Sequence, residues 1–280
     1  MERKQRILVT GGTGTLGRLV VPLLRDADRN VRVLSRRSQE AEDGIEFVTG
    51  DLSTGEVIEA AVEAAEVIVH LAGSSKGDEE KTLNLVRAAS QAGAPHLVYI
   101  SVVGADRVPV ENRLDRAMFG YFASKLGAER VVAESGLAWT TLRATQFHDL
   151  MLTTVRQMAR LPVVPVPAGF RFQPVDTGEV AARLVELALG TPAGLVPDMA
   201  GPRVHDMTDV VRGYLRARGK RRVIVPLPLP GEAARAFRAG ANLAPERAVG
   251  LLTWEEFLAE RVSSRHAAAV QGLDRTEVST

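Results

Sequence analysis

The sequence predicts an α/β protein in which a doubly wound parallel sheet carries a smaller C-terminal lobe, and three observations lead there. Apolar strand-like runs alternate with amphipathic helical stretches through the first 150 residues, the rhythm of parallel strands whose crossover helices cover both faces of the sheet. The first run, Arg6-Ile-Leu-Val-Thr10, leads straight into Gly11-Gly12-Thr13-Gly14-Thr15-Leu16-Gly17, a turn that opens a helix. After about Thr145 the pattern changes character, and beyond Gly190 proline and glycine thicken.

Each element has its own signal. The apolar run at 6–10 reads as a buried strand, and Leu16, Leu19, Val20, Leu23 and Leu24 fall at helical spacing, giving a helix to about Asp26. Strands follow at 30–35 and 45–49, then a helix at 56–65, a strand at 67–71 and a helix from Asp78 to Ala92. A strand at 96–100, a helix from Tyr121 to Glu134 and a strand at 139–143 complete six strands. The second part predicts an amphipathic helix near 149–160, a strand-like segment at 162–167, and a helix at 177–189 that Asp176 or Thr177 caps. Helices at 206–218, 232–238 and 254–261 then alternate with a short strand at 222–225. The expected organisation is a dinucleotide-binding core over 1–150, a mixed substrate lobe with core-completing elements over 151–262, and a poorly ordered tail over 263–280.

Charge and composition narrow the function classes. Thirty-five basic against 34 acidic residues leave a net charge of +1, too weak a field to recruit nucleic acid or an anionic membrane. The basic run from Arg216 to Arg222 reads as a solvated helix end, its cations at the negative pole of the helix dipole. With no cysteine there is no disulfide, thiolate metal site or cysteine nucleophile, which agrees with a cytoplasmic location. The first strand leaves no room for a signal peptide, and no apolar run approaches the roughly 20 residues of a membrane span. Five histidines without paired carboxylate spacing point to no metal.

The glycine turn has the chemistry of a pyrophosphate cradle. Gly11, Gly14 and Gly17 allow an unusual turn, a close approach of backbone N–H groups to phosphate, and tight packing of helix on sheet; Thr13, Thr15 and Leu16 complete the loop. About 20 residues on, where an acidic side chain would hold an NAD ribose, stand Ser35, Arg36 and Arg37. A guanidinium grips a 2′-phosphate bidentately, so the position favours NADP(H), with Arg36 first and Arg37 second. Asp51 follows the third strand, where it can accept an adenine amino hydrogen, cap the next segment, or do both. His70, alone on an apolar strand, reads as a packed core residue before it reads as a base.

Taken together, Thr10–Gly17, Gly50-Asp51-Leu52, His70-Leu71-Ala72-Gly73, the run from Tyr99 to Gly104, Tyr121-Phe122-Ala123-Ser124-Lys125 and the run from Thr141 to Phe147 resemble the short-chain dehydrogenase/reductase (SDR) superfamily. The nearest likeness is its atypical NmrA-like and isoflavone-reductase-like branch of Rossmann-type NAD(P)-binding proteins. The resemblance implies that Asp51 and Leu52 sit beside adenine, that Ala72 and Gly73 line the diphosphate and ribose region, and that Thr145 to Phe147 border the nicotinamide. It departs at Ala144, where the family commonly has proline, leaving the backbone there less restrained.

Tyr121 and Lys125 are four residues apart and share a helix face, so an ammonium beside the phenol would lower its pKa towards useful acid–base range. Ser101, at the carboxyl edge of the sheet, offers a hydroxyl to orient a carbonyl. These three resemble the superfamily's catalytic serine, tyrosine and lysine, which implies that Tyr121 protonates the substrate oxygen, Ser101 polarises it and Lys125 binds the nicotinamide ribose. In extended members the serine lies further along, near Val103, so Ser101 is alternatively a cofactor contact or a strand cap. Phe147, His148, Met151 and Phe170, with Phe172 and Gln173, form an apolar and aromatic set that suggests a hydrophobic substrate, although Met and Phe at such spacing more often form core; His148 is an alternate acid or a substrate hydrogen-bond partner. The function expected is NADPH-dependent reduction of a small apolar or aromatic carbonyl, enone or quinone by a monomer or homodimer. The alternative is a non-enzymatic NADP(H)-binding redox sensor or regulatory protein.

Overall fold

The computed structural model describes residues 4–40, 44–74, 77–93 and 95–261; the expected tail at 263–280 lies outside them. The central sheet has seven strands in the order β3-β2-β1-β4-β5-β6-β9: β1 (Arg6–Thr10), β2 (Asn30–Ser35), β3 (Ile45–Thr49), β4 (Val67–His70), β5 (His96–Val102), β6 (Trp139–Ala144) and β9 (Gly194–Leu195). Every pairing is parallel, with Ile7 beside Val31 on one side and beside Val67 on the other. The chain winds outward from β1 to β3, then returns to build β4, β5 and β6 on the other side. That reversal opens a crevice at the carboxyl ends of β1 and β4, where such sheets receive ligands.

Helices cover both faces. On one side α1 (Gly17–Asp26) and α6 (Thr177–Leu189) bury Val20, Leu24, Val180 and Leu184 against Ile7, Val9 and Val69. On the other, α2 (Ile58–Val62), α3 (Asp78–Gln91) and α4 (Arg113–Ala133) bury Ile58, Leu85, Ala128 and Val132 against Leu8, Ile68 and Leu97. Fully burying one such aliphatic side chain is worth about 1.5–3 kcal/mol. The alternation of strand residues between these two layers is why β1, β4 and β5 are apolar throughout.

Three elements differ from the sequence expectation. The helix expected over 56–65 is confined to Ile58–Val62, because Val57 takes a left-handed backbone (φ 61°) and Glu63 is extended. Helix α4 begins at Arg113 rather than Tyr121, as Asn112 caps it by accepting from the Asp115 amide at 2.9 Å. The two-residue strand β9 is too short to leave a periodic signal. The expected looseness at Ala144 is also corrected: its carbonyl accepts from the Val103 amide at 3.0 Å, and the next residue's amide donates to Met199 at 3.0 Å.

Beyond β6 come α5 (His148–Met158), β7 (Val163–Pro167), β8 (Arg171–Phe172), β10 (His205–Asp206), α7 (Met207–Ala217), β11 (Val223–Leu227) and α8 (Glu232–Arg238). Strand β7 pairs in parallel with β11, and β8 antiparallel with β10. A last helical stretch at 254–261 adds Trp254, Phe257 and Leu258 to a separate core with Met151, Val155, Val210 and Tyr214. The lobe therefore stands over the carboxyl edge of the sheet with its own apolar interior, while α6 and β9 return to complete the main one. Among the described residues, no helix is long and apolar enough to cross a membrane.

Candidate dinucleotide and substrate site

At the end of β1, Gly11 adopts φ 72°, and a Cβ there would lie 2.6 Å from the Ala72 amide nitrogen. A Cβ on Gly17 would collide with the Gly11 carbonyl, so that glycine is what lets α1 approach the sheet. Gly14 is different: a Cβ would meet only the Gly11 carbonyl oxygen, at 3.2 Å, and would otherwise project from the turn. The N-terminus of α1 has no side-chain cap and no acidic residue in its first turn. Its dipole is thus left uncompensated for an anion.

A cavity of about 630 Å³ lies beyond this turn, lined by Thr13, Ser35, Arg36 and Arg37 and by Arg18. Among the described residues no acidic side chain lines it. Arg18, which sequence reasoning missed, donates from Nε to the Thr13 carbonyl at 2.9 Å and thereby braces the glycine turn. The Ser35 hydroxyl is spent locally, donating to the Arg37 carbonyl at 2.9 Å and accepting from the Arg37 amide at 3.2 Å.

An adjoining cavity of about 270 Å³ shares Thr13, Ser35 and Arg36 with the first and brings in Asp51, Leu52, Ala72 and Gly73. The Ser53 amide donates to Asp51 at 2.8 Å and, with Arg36 contributing, holds the carboxyl below its usual range. Asp51 is therefore a carboxylate that both orders its turn and faces the cavity. Asn84 fixes Leu52 by donating to its carbonyl at 2.8 Å.

A cleft of about 730 Å³ continues from Gly11, Gly14, Thr15, Leu16, Gly17 and Gly73 past Ser101, Tyr121, Lys125 and Thr145 to Phe147 and the lobe. Lys125, on α4, is buried; its ammonium reaches the Tyr99 hydroxyl and the Ile100 carbonyl at 3.2 Å each and pairs with Asp78 at 3.5 Å. Burial pulls its pKa down against the opposing pull of Asp78. Tyr121 keeps 39 % exposure at the cleft opening, yet the crowding of its hydroxyl end, followed by the Asp78 charge, pushes the phenol above its ordinary value. The expectation that Lys125 lowers the phenol pKa is corrected: Nζ lies 5.8 Å from the Tyr121 ring centre and turns towards Asp78.

Ser101 lies within β5, not beyond it. Its Oγ is buried on the cleft wall with no protein partner. Gln146, within the stretch that the resemblance sets beside the nicotinamide, lines the same cleft with both amide heteroatoms buried and unpartnered. Leaving such groups unmatched costs about 1–3 kcal/mol each, so this wall is made to be completed by a polar ligand. These orphaned atoms, the glycine cradle and the guanidinium cluster together fit a dinucleotide running from Arg36 to Thr145. Val103 is fully buried.

Three expected substrate residues are not at the cleft. His148 is fully buried and stacks on Phe257 at 4.9 Å; desolvation lowers its pKa to about 4, and neither ring nitrogen has a partner. Met151 belongs to the lobe core, and Phe170 is buried with Phe119 and Phe237. Gln173 is a structural clip, donating to Gly201 at 2.8 Å and accepting from Ala244 at 3.0 Å. The apolar wall is built instead from Phe122, Phe147, Leu152, Phe172 and Phe237. His70 is packed as expected, held between Thr10 (2.6 Å) and Thr82 (3.1 Å), with burial lowering its pKa to about 3.

Comparison with known proteins accords with this geometry. The chain is 28% identical to a ceramide reductase of Caulobacter vibrioides, covering 80% of this chain and 74% of that one. It is 26% identical to the photosystem II assembly factor Ycf39 of Synechocystis, over 80% and 71% of the two chains. The fold matches an NADPH-dependent quinone oxidoreductase from Escherichia coli complexed with NADPH, with a TM-score of 0.76 at 20% identity, covering 93% of this chain and 99% of that one. Residues 11–189 match the NAD(P)H-binding family, and the chain, a Rossmann-fold NAD(P)(H)-binding protein, belongs to that family.

Proposed function

We propose that this NAD(P)H-dependent oxidoreductase uses NADP(H) to reduce a small apolar or aromatic carbonyl, enone or quinone compound. The observation that carries the reading is the convergence of Tyr121, Lys125 and the unpartnered Ser101 hydroxyl on one aromatic-walled cleft that joins the glycine cradle. The ceramide reductase and quinone oxidoreductase among the similar proteins support reductive chemistry. The quoted motifs also support placing the chain in the NmrA-like branch of the SDR superfamily, and the absence of cysteine supports a cytoplasmic setting.

When bound, the reduced nicotinamide supplies a hydride to the substrate. The phenol of Tyr121, held protonated by its crowded surroundings, donates the proton that neutralises the developing oxyanion. The Ser101 hydroxyl donates to the same oxygen and orients it, while the Gln146 amide offers a donor and an acceptor beside it. Lys125, neutralised by Asp78 and anchored on Tyr99, holds the cofactor ribose. Arg36, Arg37 and Arg18 grip the 2′-phosphate, Asp51 meets adenine, and Phe147 and Phe172 exclude water.

Anaerobic and aerobic NADPH consumption across a panel of quinones, aldehydes and enones tests this, with dinucleotide affinity measured in parallel. Turnover of at least one class is expected. Tight NADPH binding without turnover would overturn the reductase reading in favour of a redox sensor.

A further inference from the structure

Among the described residues, three charged side chains line the cleft: Lys125, Asp149 and Arg156. Two of them are already matched. Lys125 faces Asp78. Asp149 accepts from Thr177 at 3.0 Å and from Arg261 at 2.8 Å. Arg156, half-buried in the last turn of α5, makes no ion pair or side-chain hydrogen bond among the described residues.

The helix phase explains how it gets there. Leu152 and Arg156 are four apart and line the cleft from one face of α5, Leu152 also packing into the lobe core to which Met151 and Val155 belong. Arg156 lies nine positions beyond Phe147, which ends the path from β6, so it stands roughly 13 Å along the helix from the cofactor side. Between them the wall presents Leu150 and Leu152 together with Thr153 and the already paired Asp149. An unmatched guanidinium beside aromatic surface is a strong and directional anion receptor, because its planar donors match two oxygens of a carboxylate or phosphate.

We infer that the substrate carries an anionic group, carboxylate or phosphate, which Arg156 binds at the end of the cleft away from the sheet. This rests on the reductase reading for the word substrate, while the anion site itself does not. The reducible group lies beside Tyr121, the apolar body runs along Phe147 and Leu152, and the anion reaches Arg156.

Two measurements separate these claims. The first follows NADPH oxidation with 4-formylbenzoate, 4-formylcinnamate and their methyl esters, using the acid-to-ester ratio of kcat/KM as readout. The second is calorimetric titration of the NADP-loaded protein with 4-methylbenzoate, phenyl phosphate and the neutral methyl 4-methylbenzoate; the first two decide between carboxylate and phosphate. An anion should be favoured over its neutral partner by about tenfold to a hundredfold. Arg156→Gln should bring the ratio to near one, and Arg156→Lys should keep part of it. Selective, Arg156-dependent anion binding without reduction of any aldehyde would leave the inference standing and remove the reductase reading. Equal handling of anion and ester by the unmodified protein, or a preference that Arg156→Gln leaves intact with an unchanged melting temperature, would overturn it. Should Arg156→Gln not fold, an undiminished preference in Arg156→Lys together with salt-insensitive binding would do the same.

Discussion

The Lys125 ammonium is paired with Asp78, not with Tyr121: Nζ lies 3.5 Å from the Asp78 carboxylate and 5.8 Å from the centre of the Tyr121 ring. A buried cation and a buried anion from two adjacent helices thus neutralise each other beneath the cleft. Tyr121 experiences crowding and the Asp78 charge, both of which favour its neutral form.

Tyr121→Phe should leave NADPH affinity nearly intact and lower carbonyl reduction by about 10²-fold or more, the usual worth of a general acid. Because the protonated phenol is the active form and its pKa is raised, activity should not fall from phenol ionisation below about pH 10. Asp78→Asn removes one cause of the raised value and should move the alkaline limb to lower pH. Steady-state pH profiles of the three proteins test this; parental rates in Tyr121→Phe would exclude the phenol as acid.

NADP should bind more tightly than NAD by about 30-fold to 1000-fold, as two or more charge-assisted hydrogen bonds to the 2′-phosphate would contribute roughly 2–4 kcal/mol. Arg36→Ala should narrow that gap by weakening NADP. Calorimetry with both dinucleotides decides, and equal affinities for the unmodified protein would contradict the role given to the arginine cluster.

Gly14→Val should abolish dinucleotide binding in a folded protein, since its side chain meets little protein and projects from the cradle. Gly17→Val, by contrast, should unfold or strongly destabilise the chain because it drives α1 from the sheet. Thermal melts beside NADPH titrations distinguish the two, and a folded Gly14→Val protein with retained affinity would relocate the site.

Acid should destabilise the protein through its buried histidines. His148 has a folded-state pKa of about 4 against 6.5 when unfolded, so below pH 6.5 the unfolded chain takes up the proton first. Stability contributed by the neutral ring is complete above pH 6.5 and is lost as pH falls towards 4. The 2.5-unit gap corresponds to about 3 kcal/mol. His148→Phe, which keeps the stack on Phe257, should shrink the difference in urea-unfolding stability between pH 7 and pH 4.5; an unchanged difference would mean that His148 does not drive it.

The strands of the sheet were legible because buried parallel strands are apolar on both faces, as Ile7, Leu8 and Val9 are. The glycine cradle was legible because backbone approach to phosphate restricts residue choice at fixed spacing. Side-chain direction was not. Phe147 lines the cleft while His148, one residue on, is buried, and no composition signal separates them. Arg156 leaves no signal for the same reason, its place at the cleft depending on helix phase, and for Gln146 the resemblance marks the stretch 145–147 but not the direction of its amide. Helix α4 starts eight residues before the Tyr121 that periodicity predicts, because its first turns expose Leu114 and Met118 and so lack a one-sided apolar stripe.

The cavities that would take the adenine half of the dinucleotide are drawn almost wholly from residues 11–74, whereas the aromatic wall and Arg156 come from residues after 121. Heritable change can therefore accumulate in the later part of the gene, exchanging one family of guest molecules for another, while the portion that grips the redox currency stays as it was. A lineage founded on this scaffold could diversify its diet without ever passing through a form unable to hold its coenzyme.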